Sequence, residues 1–200
     1  MKARIYDLLN GALDRAGFAE RRDRLVGTLQ GEVLEVGAGT GLNVPRYRRA
    51  SRVVALEPDR RYARRLVARA GETGAPIEVV EGRAEALPFP DRTFDHVVTS
   101  IALCSVTDLD AAVAEIHRVL RPGGSLRFLE HVRGEGRVAR WQDRLTPIQR
   151  RIADGCHLNR DTAAAIEAAG FRITTLERFP LPMGHPLIRP AIQGTAIPQG

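Results

Sequence analysis

The sequence predicts an α/β fold: a mostly parallel seven-stranded sheet with helices on both faces and an antiparallel last strand. Three observations carry this. Short apolar, β-branched runs alternate with helix-length segments, the pattern of β-α units that feed a parallel sheet. In Val33-Leu-Glu-Val-Gly-Ala-Gly-Thr-Gly41 an apolar strand runs straight into three glycines at alternate positions. The run at 94–100 has the continuous apolar character of a strand buried on both faces.

The elements follow in order. Residues 3–30 read as one or two helices, since Ile5, Leu8, Leu9 and Leu13 recur at helical spacing and Gly17 breaks the run. The first strand spans 32–37, with a short helix expected at 42–49. The second strand covers 52–57, and a helix over 60–70 has Asp59 at its N-terminus. Strands are expected at 77–80 and 94–100, the first of them β-branched. Asp108 caps a helix over 108–120 that stops before Pro122. A strand at 125–132, a helix at 159–169 ended by Gly170, and strands at 171–178 and near 187–196 complete the chain. The one long irregular piece, 133–158, reads as a partly helical cap over an active site, because compact domains rarely keep idle loops of that length. The whole is expected as one domain, 1–200, with its N-terminal helices in 1–30.

Composition narrows the function classes. The formal net charge is +6 and arginine supplies nearly all the positive charge, yet no Lys/Arg block of the nucleic-acid-tail kind occurs. Aromatic residues are only 5% of the chain, which leaves few platforms for stacking bases, so no nucleic-acid partner is expected. The N-terminus lacks the apolar core of a signal peptide. No run approaches the roughly 18 apolar residues of a membrane span. Peripheral membrane contact and the oligomeric state stay open. Two cysteines make neither a disulfide framework nor a four-ligand zinc site, so the expected compartment is the reducing cytoplasm.

The glycine turn points to a nucleoside. Glu57 follows Gly37 by 20 positions, about the spacing at which a carboxylate ending a second strand meets a ribose. The turn reads Gly37-x-Gly39-x-Gly41, not the G-x-G-x-x-G that seats a pyrophosphate. Two later landmarks are Ala84-Glu-Ala-Leu-Pro-Phe-Pro-Asp91 and Leu120-Arg-Pro-Gly-Gly124. In this order and spacing, over roughly residues 30–200, the chain resembles the class I S-adenosylmethionine-dependent methyltransferases.

That resemblance implies a Rossmann-like fold, S-adenosylmethionine as cofactor and S-adenosylhomocysteine as product. It places Gly37, Gly39, Gly41 and Asn43 around the cofactor. Glu35 would face its amino-acid portion or support the turn. Glu57 and Pro58 would meet the ribose, Ala84 and Glu85 the adenine, and Ser100 and Ile101 the methionine arm. Many relatives carry Asp-Ala at the adenine position, where this chain reads Arg83-Ala84-Glu85.

Further motifs are similar to the vertebrate microsomal alkyl-thiol methyltransferases and their small bacterial relatives. They are Leu103-Cys-Ser-Val106, Glu130-His-Val132, Trp141-Gln142, Asp154-Gly-Cys-x-Leu-x-Arg160 and Arg189-Pro-x-Ile-x-Gly194. The resemblance implies a small-molecule acceptor, with a thiol sulfur favoured over the oxygen, nitrogen or carbon of a natural product or quinone. RNA is disfavoured, because no Asn/Asp-Pro-Pro-aromatic tetrapeptide follows the fourth strand. The vertebrate members carry an apolar N-terminal anchor, whereas this sequence starts almost at the catalytic domain, so membrane residence is not carried over.

On the acceptor side, His131 is a candidate base, because imidazole titrates near neutral pH. A structural histidine at a strand end is the alternative. Asp154 is a candidate to orient His131 or to bind a substrate cation, and equally a helix cap or an arginine partner. Cys104, Trp141, Cys156 and Arg160 are candidate substrate contacts. Their plainer readings are packed thiols, a cap-packing aromatic and a salt bridge within the cap. His131, His157, Asp154 and Cys156 lack the ligand spacing of structural zinc, so no metal is expected.

Overall fold

The structure is a computed structural model that describes residues 3–74 and 76–199, the side chains of residues 3–5 excepted. Two helices, α1 (Ala3–Leu13) and α2 (Ala19–Val26), are joined by the wide turn Asp14–Phe18. Gly17 adopts φ 104° there, a conformation that side chains resist, and this is why the helical run breaks at a glycine. Leu8 and Leu9 stay exposed, so the apolar spacing of α1 is only partly used for the core. The side chain of Ile5 lies outside the described residues.

The sheet has seven strands: β1 (Gly31–Val36), β2 (Ala50–Leu56), β3 (Ile77–Val80), β4 (Phe94–Ser100), β5 (Leu120–His131), β6 (Phe171–Pro180) and β7 (Pro190–Pro198). Their spatial order is β3-β2-β1-β4-β5-β7-β6. The first five pair in parallel, and β7 runs antiparallel between β5 and β6. The chain reverses its direction of travel across the sheet between β1 and β4. Ligands of open α/β sheets bind at such a switch point, outside the carboxyl ends of the strands.

Alternate residues of the central strands feed two separate cores, as a period of two requires. Leu34, Val54, Val97 and Phe128 face a cluster closed by Val113 and Ile116 of α4 (Leu109–Val119) and Ile166 of α6 (Thr162–Ala168). Their neighbours Val33, Val53, Val98 and Leu129 face the other cluster, closed by Phe18, Leu25 and Val26. Leu25 and Val26 belong to α2, which is thereby held firmly on the sheet.

Asp59 accepts from Arg61 N at 2.8 Å and caps α3 (Arg60–Thr73), and Asp108 accepts from Ala111 N at 3.0 Å and caps α4. The helix expected at 42–49 is only a single turn, Val44–Arg46. Asn43 and Tyr47 turn their side chains inward to a buried carboxylate, and Tyr47 leaves helical angles (φ −75°, ψ 69°) to do so. The segment 133–158 contains α5 (Gly136–Ile152). Gln142 anchors this helix: its Nε2 donates to Leu187 O at 2.8 Å, and its Oε1 accepts from Gly134 N at 2.7 Å. The helix expected from residue 159 begins at Thr162, where Asp161 caps it by accepting from Ala164 N at 3.1 Å.

Candidate cofactor and acceptor site

The site begins where β1 ends. Gly37 has φ 69°, and a Cβ on it would stand 2.6 Å from Ala102 Cβ in the loop after β4. Glycine is therefore required for the two loops to pass. Gly37 N and Ala38 N both donate to Leu56 O, at 2.9 and 3.0 Å, which ties the turn to the end of β2. Glu57 completes the tie. Its Oε2 accepts from Gly39 N at 2.8 Å and its Oε1 from Asp59 N at 2.9 Å. Burial raises the pKa of this carboxyl, and the two amide donors partly offset that by favouring the ionised form. Two bonds leave the carboxylate further lone pairs for hydroxyl donors.

These groups line a cavity of about 320 Å³. Gly37, Gly39, Glu57, Pro58, Ala84, Glu85 and Ile101 of the predicted cofactor set all face it, with apolar walls from Leu56 and Val106. A carboxylate beside a glycine turn, walled by apolar side chains, is the donor set an adenosine needs, so the residues present fit that group. Glu85 has a second duty. Its Oε1 accepts from Thr107 N at 2.6 Å and Asp108 N at 3.3 Å, so the carboxylate also fastens the loop between β4 and α4.

Glu35, Asn43, Gly41 and Ser100 stand behind that cavity. Glu35 is buried and accepts from Asn43 Nδ2 at 2.7 Å and Tyr47 Oη at 2.8 Å, so it supports the turn. Arg22, 3% exposed, donates to Asn43 Oδ1 and Ser100 Oγ at 3.2 Å each and pairs with Asp14 at 3.0 Å. A Cβ on Gly41 would meet Leu66 Cδ1 at 2.6 Å, so its role is packing against α3.

Sequence reasoning missed Arg22, Tyr6 and Tyr62. Tyr6 lines the cavity beside Tyr62, ring centroids 5.2 Å apart, and burial pushes its hydroxyl up to about 12. For Tyr6 and Arg22 the one available signal was polar and aromatic residues on a leading helical segment otherwise patterned for the core; Tyr62, in the first turn of α3, carried none.

The acceptor side corrects several expectations. Asp154 lines the cavity and accepts from Tyr62 Oη at 2.8 Å, while His131 Nε2 meets Leu187 O at 3.4 Å, so each has a partner other than the other. Trp141 is not a pocket wall. It is 52% exposed, with the Arg144 guanidinium over its ring. Its neighbour Gln142 takes the inward position, and successive helical residues point about 100° apart. Arg160 turns to backbone carbonyls and not to an acid in the cap, among the described residues. It donates to Leu103 O at 2.5 Å and Val106 O at 2.7 Å and so braces the β4–α4 loop.

Cys104 and Cys156 come together with His131, their ligand-type atoms all within 4.8 Å of one another. The neighbouring Cys156 thiol, with burial added, raises the Cys104 thiol against the opposing effect of His131. Cys104 in turn lowers Cys156 against the opposing effect of burial.

Comparison with known proteins decides the family. Residues 34–128 match the family model described as "Methyltransferase domain". Human thiol S-methyltransferase TMT1A is 35% identical over 170 residues, covering 82% of this chain and 70% of that protein. The chain belongs to the S-adenosylmethionine-dependent methyltransferases. This methyltransferase is similarly related to rat thiol S-methyltransferase TMT1B, 35% identical over the same shares of the two chains. Solved structures show the same fold. Geranyl diphosphate methyltransferase in complex with its cofactor has a TM-score of 0.73 at 16% identity, covering 92% of this methyltransferase and 85% of that chain. The YcgJ protein of Bacillus subtilis has a TM-score of 0.71 at 18% identity, covering 92% and 98%. No described helix of the methyltransferase is long and apolar enough to cross a membrane.

Proposed function

We propose that this methyltransferase methylates the sulfur of a small thiol. The observation that carries the reading is the 35% identity to thiol S-methyltransferases over 82% of the chain, which reaches well beyond the cofactor half. S-adenosylmethionine, when bound, supplies a methyl group on a sulfonium that is already activated for in-line displacement. The chain must therefore bind, align and exclude water rather than perform covalent chemistry. Glu57 holds the ribose hydroxyls, prepositioned by its bonds to Gly39 N and Asp59 N. Ala84, Glu85 and Val106 flank the adenine end of the cavity, and Ile101 and Tyr6 the end nearer the acceptor. Asp154 and the Cys104–His131–Cys156 group supply the surroundings in which the acceptor thiol loses its proton.

A 57-residue segment is 56% identical to a quinone-biosynthesis C-methyltransferase from Hahella chejuensis but covers only 23% of that enzyme. A quinol therefore belongs in the test panel. Labelled-methyl transfer to aliphatic and aromatic thiols is measured against phenols, amines and the quinol. Transfer to thiols alone is the expected result. Transfer to oxygen, nitrogen or carbon with none to sulfur overturns the reading.

A further inference from the structure

Three soft donors from remote parts of the chain meet at the sheet edge. Cys104 follows β4, His131 ends β5 and Cys156 follows α5, and one donor atom from each lies within 4.8 Å of the others. Cys104 is 1% exposed and His131 3%, and Cys156 is half-buried.

The imidazole is oriented from behind. Its Nε2 faces Leu187 O at 3.4 Å, a carbonyl that also accepts from Gln142 Nε2. A carbonyl only accepts, so Nε2 carries the hydrogen and Nδ1 is left with a lone pair. That Nδ1 is buried and makes no hydrogen bond of ordinary length, although the Cys104 thiol interacts with the imidazole. A buried acceptor left unsatisfied costs roughly 1–3 kcal/mol, so something is expected to occupy it. The loop bearing Cys104 is also held in place: Arg160 braces Leu103 O and Val106 O, and His157 N donates to Cys104 O at 2.7 Å.

Two cysteines and one histidine form the ligand set of zinc sites that keep a fourth position for substrate. A backbone carbonyl on the far ring nitrogen is the usual outer support of a ligating histidine. Two thiolates would neutralise a dication and allow it to be buried. Ala102, Ser105 and Asp154, each within two residues of a member of the group, line the cofactor cavity.

We propose that Cys104, His131 and Cys156 bind a thiophilic divalent cation, zinc by ligand set, and that its fourth position takes the acceptor sulfur. Holding the cation makes His131 a ligand and not the proton acceptor. The acceptor thiol gives up its proton to solvent as its sulfur coordinates. A sulfur lone pair then forms the new S–CH3 bond. The methyl–sulfonium bond breaks, and its electron pair stays on the cofactor sulfur. The products are a thioether, S-adenosylhomocysteine and one proton. The role of the fourth position rests on the thiol reading above; the cation site itself does not.

The test uses the full chain, expressed with added zinc and purified without chelator. Elemental analysis is expected to find zinc near one equivalent per chain. Cobalt exchanged into the protein is expected to show thiolate charge-transfer absorption and tetrahedral visible bands. Cys104→Ser, Cys156→Ser and His131→Ala should each weaken cation binding by on the order of 100-fold or more, since loss of mere outer-shell partners already costs roughly 10–100-fold. Retained binding of S-adenosylmethionine shows that the variants fold, because none of the three residues lines that cavity. An added alkyl thiol should shift the cobalt bands.

Full activity of zinc-free protein on thiols, or a Cys104–Cys156 disulfide in fully active protein, overturns the cation site and leaves the thiol reading standing. Zinc retained by all three variants overturns the assigned ligands. Cobalt bands that no thiol moves, with methyl transfer only to phenols or amines, overturn the thiol reading and the fourth-position role while leaving the cation site.

Discussion

The two halves of the sheet's carboxyl edge are built by different rules. Over β1 and β2 the site is made of sequence neighbours, with Gly37, Gly39, Glu57 and Asp59 joined by backbone amides and one carboxylate. Over β4 and β5 it is made of side chains from three separate segments, which carry Cys104, His131 and Cys156. The first half fixes its one carboxylate, Glu57, with main-chain amides, a frame that is insensitive to most substitutions around it. The second reads with side chains, whose placement depends on every loop that carries them. A cofactor shared by a whole family suits the first construction, and an acceptor that differs between members suits the second.

The largest expected effect tests how the leading helices tie into the cofactor half. Arg22→Ala removes the buried ion pair with Asp14 and the bonds to Asn43 and Ser100. It should cost on the order of 3 kcal/mol of stability, read from the denaturant midpoint. An unchanged midpoint would mean that α2 is held by its apolar face alone.

Glu57→Ala comes next. Losing a charged acceptor should weaken S-adenosylmethionine binding by about 1.5–3 kcal/mol in calorimetric titration. Cation content should stay the same if the halves are as separate as the geometry implies. Loss of both would break the comparison.

The pH dependence of cofactor affinity sharpens it further. Burial raises the pKa of Glu57 above the ordinary carboxylate range, and the ionised form is the better acceptor for ribose hydroxyls. Affinity should therefore be full above the raised pKa and fall as pH drops through it, beginning at a higher pH than an ordinary carboxylate would give. Titrations over a pH series, with Glu57→Gln as the flat control, check this.

The smallest effect belongs to Trp141. Half exposed on the outer face of α5, its replacement by alanine should change stability by less than about 0.5 kcal/mol and leave methyl transfer unchanged. A clear loss of turnover would return it to the acceptor pocket.

The sequence by itself determined the strands, the caps Asp59 and Asp108, and the glycine turn with its carboxylate. All of these are local. Strand alternation, N-cap chemistry and the need for positive φ act over a few residues and leave their pattern in the chain.

Tertiary structure decided the rest. It turned the expected helix at 42–49 into one turn, because a buried Glu35 recruits Asn43 and Tyr47. It sent Trp141 outward and Gln142 inward, a choice set by where the Leu187 carbonyl lies. It gathered Cys104, His131 and Cys156, whose spacing along the chain carries no ligand signature because each arrives on a different segment. Side chains that meet only after three loops have packed leave no periodic trace, so their common function becomes visible only in the folded chain.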